Sequence, residues 1–561
     1  MSNSSRRQFL KTSIASVFTI AVSTSLTGCM QTFQKKSLTP VEFKHGIASG
    51  DPLENALIIW THVQTEQENA TVAWELARDA KFTNIVRRGY AETNKSRDFT
   101  IKIDVQELKA NTQYFYRFIG LTTVSPVGRA KTLPINNIEQ VKIAVVSCSN
   151  YPAGYFNAYS DAAKQKNLDV VLHLGDYIYE YPMGGYATNN ADKIGRSLAP
   201  DNSGEIIALS DYRKRYAIYR TDKGLQALHA AAPFIVVWDD HEIANDTYKS
   251  GAENHSSNEG DFLKRRAAAI QAYYEWLPIR PPMGEQNPQI YRTFNFANLL
   301  SLHMLDTRVI ARDKQLAYSD YKDADTKKMD VAGFVNDLNN PQRQLLGNTQ
   351  LNWLTCAMAK SNAKWQVLGQ QVLMTKMWLP TEIFSQSDRT KIPSVIKELV
   401  AIKQAVLINK TVTPAQLARV NTLMPYNLDA WDGYPSEREA LYKSANELNK
   451  KLVVVAGDTH NAWHGDLIDI KGNNVGVEFA TPGVTSPGME HYLSLNTKQA
   501  KQMADALSLL INDLNYCNLS HRGYMLLTLT HDQIVADWRY VDNIDSPNYN
   551  IVNEHQSVYK G

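Results

Sequence analysis

The pattern of hydrophobic and polar positions changes near residue 140 of the chain. Before that point, short apolar runs are separated by turn-forming residues, and the run over residues 108–118 alternates between apolar and polar positions with a period of two. This pattern is typical of half-buried β-strands. It predicts strands over residues 56–60, 71–74, 100–104 and 108–118.

The last of these runs carries a recognisable spacing of aromatic residues. Leu108, Thr112, Tyr114 and Tyr116 resemble the tyrosine corner of immunoglobulin and fibronectin type III sandwiches. We therefore expect an all-β sandwich domain of that type over residues 41–135. We do not expect this domain to hold a catalytic centre.

After residue 140 the apolar runs become nearly continuous, as in strands that are buried on both faces of a sheet. The runs cover residues 141–146, 168–173, 234–238, 299–305, 365–369 and 452–456, and later strands are predicted at 475–480, 524–529 and 534–540. Helical patterns lie between them at 261–276, 350–360 and 436–448. The fold class is therefore α/β, with a layered domain of central mixed sheets over residues 140–545.

Two polar or helical stretches read as insertions into this domain, at residues 312–342 and 382–425. Within the second, Thr413 and Pro414 have the residue types of a helix cap and a first helical position.

Composition narrows the class of protein. The chain has 561 residues, of which 43% are hydrophobic and 21% charged, with a formal net charge of +2. These values suit a well-cored globular protein and exclude collagen-like, coiled-coil and disordered classes. Apart from the N-terminus the chain has no membrane-like apolar run, which argues against a polytopic membrane protein. The balanced charge excludes a chain dominated by nucleic-acid-binding charge, although not a local basic patch, and no nucleic-acid-binding surface is evident. We expect a monomer.

The first 29 residues resemble a bacterial export signal. Arg6 and Arg7 precede a short apolar run over residues 14–26, as in twin-arginine signals. Residues 26–29, Leu-Thr-Gly-Cys, resemble the lipobox of lipoproteins, which predicts cleavage before Cys29 and a lipid on its thiol. The alternative is cleavage by ordinary signal peptidase, with Cys29 incidental. The twin-arginine motif predicts the export machinery of that route as a partner. The lipobox predicts a protein anchored to the membrane by a lipid, in the periplasm or at the cell surface.

Polar side chains with metal-binding chemistry directly follow four of the predicted buried strands. Binding sites of open α/β sheets lie at the carboxyl ends of the strands, so we expect these side chains to meet. The first strand is followed by Cys148, and the second by Asp176 and Tyr179 after the turn residue Gly175. The other candidates, after the third and the last of these strands, are Asp239, Asp240, His241, Asn245, Asp458, His460, Asn461 and His464.

The residue types point to metal-assisted hydrolysis. A carboxylate can bridge two cations, and a phenolate is a hard ligand suited to ferric iron. A two-metal site clamps the attacking and leaving oxygens of a phosphoryl transfer and lowers the pKa of a bound water. Cys148 has a second interpretation, as a small buried hydrophobic residue. His460 and His464 have the spacing of a His-Glu-x-x-His zinc helix but lack its Glu.

Other enzyme classes lack their motifs. Residues 483–488 come near the Gly-x-Ser-x-Gly nucleophile turn of serine hydrolases but place one residue too many before the Ser. The sequence has neither the phosphate-binding Gly-x-x-x-x-Gly-Lys-Ser/Thr loop nor the dinucleotide fingerprint. Kinase and dehydrogenase functions are therefore not expected.

Together with residues 305–308 (Leu-Asp-Thr-Arg), 431–435 and 483–488, these clusters resemble the PhoD family of alkaline phosphatases and phosphodiesterases over about residues 41–540. That family belongs to the metallophosphoesterases and is similar at its site to purple acid phosphatases. The resemblance implies a layered metallophosphoesterase fold with a ferric iron and a calcium ion. Zinc and manganese remain alternatives.

The resemblance also implies roles for individual residues. The implied iron ligands are Cys148, Asp176, Tyr179 and His460, and the implied calcium ligands are Asp176, Asn245 and Asp458. Asp240 stands where the family motif Gly-Asn-His-Glu has Asn, which leaves direct metal binding by Asp240 open. His241 falls at the position that contacts the phosphoryl group. Asp239, Asn461, His464 and Arg308 are further candidates.

We therefore expect an exported, metal-dependent phosphoesterase that hydrolyses phosphate esters with a metal-activated water or oxide, with His241 and Asp240 as catalytic residues. Within the same enzyme class the alternative is a phosphodiesterase or a phospholipase D-like activity. Outside it, the alternative is a lipid-anchored binding protein without catalysis.

Overall fold

The computed structural model describes residues 36–282, 289–323, 325–326, 328–386 and 391–561. The predicted signal over residues 1–29, with Arg6, Arg7 and Cys29, lies outside the described residues and stays a prediction. In the part of the chain that the structure describes, none of the helices has both the length and the apolar character needed to cross a membrane.

The N-terminal region is all-β, as the alternating pattern predicts. Its strands are β1 Ile47–Gly50, β2 Leu57–His62, β3 Asn69–Ala77, β4 Ile85–Asn94, β5 Thr100–Val105, β6 Gln113–Ile119 and β7 Gly128–Lys131. Four of them form an antiparallel sheet in the order β4-β3-β6-β7. The Tyr114 hydroxyl accepts a hydrogen bond from the Lys109 backbone N–H at 2.8 Å, the type of link that a tyrosine corner makes.

The remaining strands follow the continuous apolar runs. They are β8 Gln140–Val146, β9 Val170–His173, β10 Phe234–Val236, β11 Arg292–Phe296, β12 Leu300–Met304, β13 Trp365–Gly369, β14 Trp378–Pro380, β15 Leu423–Pro425, β16 Leu452–Ala456, β17 Ala462–Ile468, β18 Asn474–Ala480, β19 Leu514–Asn518, β20 Arg522–Thr530, β21 Ile534–Val541 and β22 Ile551–Tyr559. The strand β22 lies beyond residue 545, the expected end of the domain.

Helices cover the sheets and fill the insertions. They are α1 Asn157–Ala162, α2 Leu209–Tyr219, α3 Lys223–Ala231, α4 Phe262–Trp276, α5 Val331–Leu338, α6 Gly347–Lys360, α7 Thr381–Phe384, α8 Ile392–Leu407, α9 Pro414–Asn421, α10 Pro435–Glu447, α11 Met489–Tyr492 and α12 Thr497–Leu510. The start of α9 confirms the sequence pattern, because the Thr413 side chain accepts a hydrogen bond from the Gln416 N–H and Pro414 is the first helical residue.

Two large sheets form the centre of the molecule. One has nine strands in the order β22-β21-β20-β8-β9-β10-β1-β2-β5, with β8, β9 and β10 parallel to one another. The other has seven strands in the order β11-β12-β13-β16-β18-β17-β19, with β12, β13, β16 and β18 parallel. One hydrophobic core joins Ile143 and Leu172 of the first sheet to Val453 and Phe479 of the second. A second core packs α6, α8, α10 and α12 against the second sheet.

The N-terminal strands share a sheet with the rest of the chain. The strand β1 pairs with β10 in parallel, and the Asp51 N–H donates to the Phe234 carbonyl at 3.0 Å. The Asp51 carboxylate is buried and receives the Arg280 backbone N–H at 2.7 Å and the Arg292 guanidinium at 2.7 Å. One layer of the N-terminal sandwich is therefore continuous with the nine-stranded sheet.

This junction generates the first prediction. Asp51→Ala should lower the free energy of unfolding by about 1.5–3 kcal/mol, because it removes charge-assisted hydrogen bonds from a buried carboxylate. The control is Asp104→Ala, whose partner is also Arg280 but whose ion pair is partly exposed, with a cost of about 1 kcal/mol or less. Urea unfolding followed by tryptophan fluorescence measures both. Equal losses in the two variants would contradict the role given to Asp51.

Candidate metal centre

The four candidate clusters meet at one edge of the two central sheets. The strands β8, β9 and β10 of the first sheet and β16 of the second end there, and hydrogen bonds between the loops hold the ends together. The Cys148 N–H donates to the Gly175 carbonyl at 3.2 Å, and the Ser486 N–H donates to the Cys148 carbonyl at 3.2 Å. The structure therefore brings these four strand ends together from two sheets, whereas we expected them in one sheet from the sequence.

Several of these strand-end residues have a left-handed backbone. The φ angles are +59° at Cys148, +54° at Asp176, +62° at Asp458 and +62° at His460. Such angles are uncommon for residues other than glycine and are strained. Strain of this kind persists where the surrounding structure enforces it, most often at functional sites.

One cluster combines sulfur, oxygen and nitrogen donors. Ligand atoms of Cys148, Asp176 and His460 all lie within 4.8 Å of one another. The Tyr179 hydroxyl donates to Asp176 Oδ2 at 2.9 Å, lies 3.1 Å from His460 Nε2, and accepts from the Ser486 hydroxyl at 2.6 Å. Asp176 Oδ1 is buried and has no hydrogen-bond partner.

The His460 ring is oriented by hydrogen bonding at its Nδ1 atom. Nδ1 donates to the Pro487 carbonyl at 2.7 Å, and the Tyr186 hydroxyl lies 3.1 Å from the same nitrogen. Nε2 is therefore the nitrogen that faces Asp176 and Tyr179. Metal-binding histidines are held in the same way, by a carbonyl or carboxylate on the nitrogen that does not bind the metal.

A second cluster is formed by carboxylates around a buried guanidinium. Oxygen atoms of Asp239, Asp240 and Asp458 lie within 4.8 Å of one another. The Arg308 guanidinium donates to Asp239 Oδ1, to Asp458 Oδ1 at 2.6 Å and to Asp429 Oδ1 at 2.9 Å. Asp239 Oδ2 is buried without a hydrogen-bond partner.

Burial and neighbouring charges shift the pKa values of the clustered carboxylates in different directions. Burial raises the pKa values of Asp239 and Asp458 well above the ordinary value for an aspartate, although Arg308 opposes the change. Burial also acts on Asp240, but there Arg308 and His241 outweigh it and lower the pKa. Burial and the neighbouring Asp176 raise the pKa of the Cys148 thiol.

His241 lies against both clusters and is held by Glu180. Its Nδ1 donates to Glu180 Oε2 at 2.7 Å, and its ring lies 4.2 Å from the Tyr179 ring. Ligand atoms of His241, Asp176 and Asp240 form a third group within 4.8 Å. Burial lowers the pKa of His241, but Asp240 and Glu180 outweigh it and raise the pKa well above its usual range. Because Glu180 takes Nδ1, Nε2 is the nitrogen left for another partner.

No role was predicted from the sequence for Glu180 or Glu242. The Glu242 carboxylate is buried and accepts the backbone N–H groups of Asp176 at 3.0 Å, Tyr177 at 2.6 Å and Asp239 at 2.7 Å. It thereby ties the end of β9 to the end of β10. Acidic residues directly after apolar strands were the available signal for both. Asp429 and Ser486 had no such signal, since their partners are distant in sequence.

Three sequence candidates lie apart from these clusters. The Asn245 side chain is half-buried and donates to Glu253 at 3.2 Å, while its backbone N–H donates to Glu180 at 2.7 Å. Asn461 Oδ1 accepts the Met489 N–H at 3.0 Å.

His464 lies on β17 in contact with Phe479 and Trp538, and Ser557 Oγ is 3.0 Å from its Nδ1. Burial lowers its pKa to about 4.

The donor set fits bound cations. The free oxygens of Asp176 and Asp239 are buried acceptors without a donor, and unsatisfied buried carboxylate oxygens are costly unless an ion or hydrogen bond reaches them. A thiolate, an imidazole and a phenolate beside a carboxylate suit a transition metal, whereas a site of carboxylate oxygens suits a harder cation. The first cluster contains Asp176 and the second contains Asp240, and these two residues lie together in the third group with His241. Two cations could therefore occupy adjacent positions.

The fold and this edge together define a layered α/β enzyme with a candidate metal centre at the carboxyl ends of its parallel strands. The chain belongs to the PhoD-like phosphatase family. The family model described as PhoD-like phosphatase matches residues 143–538, and that of the PhoD-like phosphatase N-terminal domain matches residues 28–134.

Individual relatives agree with the family models. The chain is 34% identical over 537 residues to alkaline phosphatase D of Bacillus subtilis (strain 168), which covers 92% of this chain and 81% of that protein. It also matches a solved structure of PhoD with a TM-score of 0.74 and 32% identity, over 94% of this chain and 91% of that one. The expected family and fold class are confirmed, and the chain is a hydrolase of the phosphoesterase class.

A glycine at the end of β9 generates the second prediction. Gly175 has φ +108°, and a Cβ atom there would lie 2.4 Å from the backbone nitrogen of Asp239. Gly175→Ala should therefore displace Asp239 and destabilise the fold by about 1–3 kcal/mol more than backbone strain alone.

Gly184→Ala is the matched control, because Gly184 has φ +85° but open space around its Cβ position. Urea midpoints and phosphatase rates of the two variants check the prediction. If Gly184→Ala is as damaging as Gly175→Ala, contact with Asp239 is not the cause.

Proposed function

We propose that this protein is an exported, metal-dependent phosphoesterase whose centre holds a ferric iron and a calcium ion. The observation that carries the proposal is the convergence of Cys148, Asp176 and His460 within 4.8 Å, with the Tyr179 hydroxyl between Asp176 and His460. Thiolate and phenolate are ligands suited to a trivalent iron. Zinc and manganese are the alternatives that metal analysis would reveal.

Cys148, Asp176, Tyr179 and His460 would hold the iron. Cys148 and Tyr179 must lose their protons to bind it, and an adjacent trivalent charge favours that loss. Asp176 would also reach the second cation through Oδ1, the oxygen that has no partner within the protein. Asp176 would therefore serve both cations.

Asp458, Asp176 and Asn245 would hold the calcium ion, which prefers carboxylate and amide oxygens. The Asn245 side chain would have to turn from Glu253 to do so. Asp240 and Asp239 add carboxylate charge beside this position, and Asp240 Oδ1 lies 3.8 Å from the Arg308 guanidinium. A cation at Asp458 would compete with Arg308 for the same oxygen.

When bound, the two cations lower the pKa of a water molecule and withdraw charge from the phosphoryl oxygens. His241 contacts the phosphoryl group or the leaving oxygen through Nε2, because Glu180 fixes its Nδ1. Glu180 is itself held by the Asn245 N–H at 2.7 Å and the Asn254 amide at 2.8 Å. The imidazole is thus oriented before substrate arrives, which limits the loss of entropy in the reaction.

The protein is proposed to act outside the cytoplasm, on phosphate esters, as a lipid-anchored monomer. The location and the lipid anchor rest on the sequence of residues 1–29 alone. The proposed activity is that of an alkaline phosphatase of the PhoD type on phosphate esters. Rates on a monoester and on a bis-ester, measured on one preparation, distinguish this proposal from a phosphodiesterase or a phospholipase D-like enzyme. The absence of turnover on both would favour a binding protein.

The third prediction separates metal binding from chemistry. Asp176→Asn should lose metal and activity together, because Asp176 joins both cation positions. His241→Ala should keep its metal content and lose about 10²–10⁴ in rate, the range for one positioned acid–base group. Metal analysis beside steady-state rates measures both, with the exposed His531→Ala as control. Loss of metal from His241→Ala would make His241 a ligand.

The fourth prediction concerns Cys148. Thiolate and phenolate ligands on ferric iron should give a visible absorption band, and Cys148→Ala should shift or abolish that band and reduce activity. Cys356→Ala, at an exposed thiol, should change neither property. A fully active, iron-free wild-type protein, or a Cys148→Ala variant with unchanged spectrum and rate, would show that the thiol is structural.

The fifth prediction concerns the anchor. A lipid on Cys29 contributes about 0.8 kcal/mol of membrane affinity for each buried CH₂ group. Cys29→Ser should therefore move the mature chain from the membrane fraction to the soluble exported fraction. Fractionation with immunodetection measures this, and a variant that stays in the membrane fraction would exclude the lipid as the anchor.

A further inference from the structure

Three tyrosines line the side of the metal centre next to His241 and His460. Tyr181 and Tyr186 follow β9, and Tyr492 ends α11 on the opposite segment. The Tyr181 ring lies 5.4 Å from the His241 ring and 5.6 Å from the Tyr186 ring. The aromatic surface therefore runs without a break from His241 to Tyr186.

The Tyr186 side chain is held beside His460 by a hydrogen bond. Its hydroxyl donates to the Pro487 carbonyl at 2.9 Å and lies 3.1 Å from His460 Nδ1. Its ring lies 5.9 Å from the Tyr179 ring, at an interplanar angle of 28°. The position of this ring therefore depends on the same carbonyl that orients His460.

Tyr492 extends this surface outwards. Its ring is nearly parallel to that of Tyr186, at 12° and 6.3 Å between centroids. The residue is nevertheless 63% exposed, and the adjacent Leu493 is 43% exposed. Isolated exposed aromatic residues are common on protein surfaces. Tyr492 differs because its ring continues a stack that ends on a candidate metal ligand.

The segment that carries Tyr492 is anchored near the centre by two bonds. The Ser486 hydroxyl donates to Tyr179 at 2.6 Å, and the Met489 N–H donates to Asn461 Oδ1 at 3.0 Å. The ring is therefore presented at a defined place beside the site. A flat, exposed aromatic face at a fixed position suits another planar ring, because aromatic rings stack with offset faces.

We propose that Tyr492, backed by Tyr186, forms a subsite that stacks a planar ring in the leaving alcohol of the substrate, as in an aryl phosphate or a nucleoside monophosphate. This inference rests on the proposed phosphoesterase function. The phosphoryl group would face His241 and the acidic clusters, and the ring would lie along the tyrosines. The subsite selects among alcohols and takes no part in bond cleavage.

The test uses the metal-loaded, full-length enzyme and three substrates. Phenyl phosphate and a nucleoside 5′-monophosphate carry a planar ring, and glycerol phosphate carries none. In Tyr492→Ala, the ratio of kcat/KM for either ring substrate to that for glycerol phosphate should fall about 5–150-fold, the range for losing one stacking contact. Tyr492→Phe keeps the ring and should keep the ratio. Tyr549→Ala, which removes a tyrosine that contacts Lys164, is the control and should also keep it.

Each outcome has one meaning. A lower ratio for both ring substrates supports a general ring subsite, and a lower ratio for the nucleotide alone supports a nucleoside subsite. An unchanged ratio for both in a folded Tyr492→Ala variant overturns the subsite but leaves the phosphoesterase function intact. Wild-type enzyme that hydrolyses none of the three esters overturns the proposed function and the subsite with it.

Discussion

Buried negative charge at the strand ends is the constraint on which the rest of the site depends. Asp239, Asp240 and Asp458 lie within 4.8 Å of one another in a place where burial penalises every ionised carboxylate. One guanidinium, that of Arg308, reaches Asp239, Asp458 and Asp429. Arg312 adds a second guanidinium at Asp429, and a bound cation would be a further source of positive charge. The buried oxygens of Asp176 and Asp239 that have no hydrogen-bond partner are acceptors that such a cation would satisfy.

The residues that position the candidate metal ligands are not themselves candidate ligands. Glu242 binds backbone N–H groups of both β9 and β10, so it sets the distance between Asp176 and Asp239 without using either carboxylate. Glu180 orients the His241 ring by accepting a hydrogen bond from His241 Nδ1. Left-handed backbone at Cys148 and Asp176 then turns both residues at the ends of their strands.

The sequence predicts the individual strands of the fold better than it predicts which strands pair with each other. Continuous apolar runs locate β8, β13 and β16 almost to the residue, because burial on both faces excludes polar side chains. The pairing of β1 with β10 has no local signal, since it joins residues far apart in the chain. The residues of the site likewise fall into those with a local sequence signal and those without one. Cys148, Asp176 and His460 follow strands and could be found. Asp429 reaches the site from a distant loop without a local signal, and Ser486 lies within residues 483–488 of the family resemblance but had no signal that placed it at Tyr179.

The central claim is that this strand-end cluster is a metal centre, and an anomalous difference map at the iron absorption edge tests it most directly. Crystals of active, full-length protein provide the measurement. The account predicts an iron peak within bonding distance of Cys148 Sγ, the Tyr179 hydroxyl oxygen and His460 Nε2, with a second cation beside Asp176 and Asp458. An active enzyme whose map has no metal peak at this cluster would contradict the account.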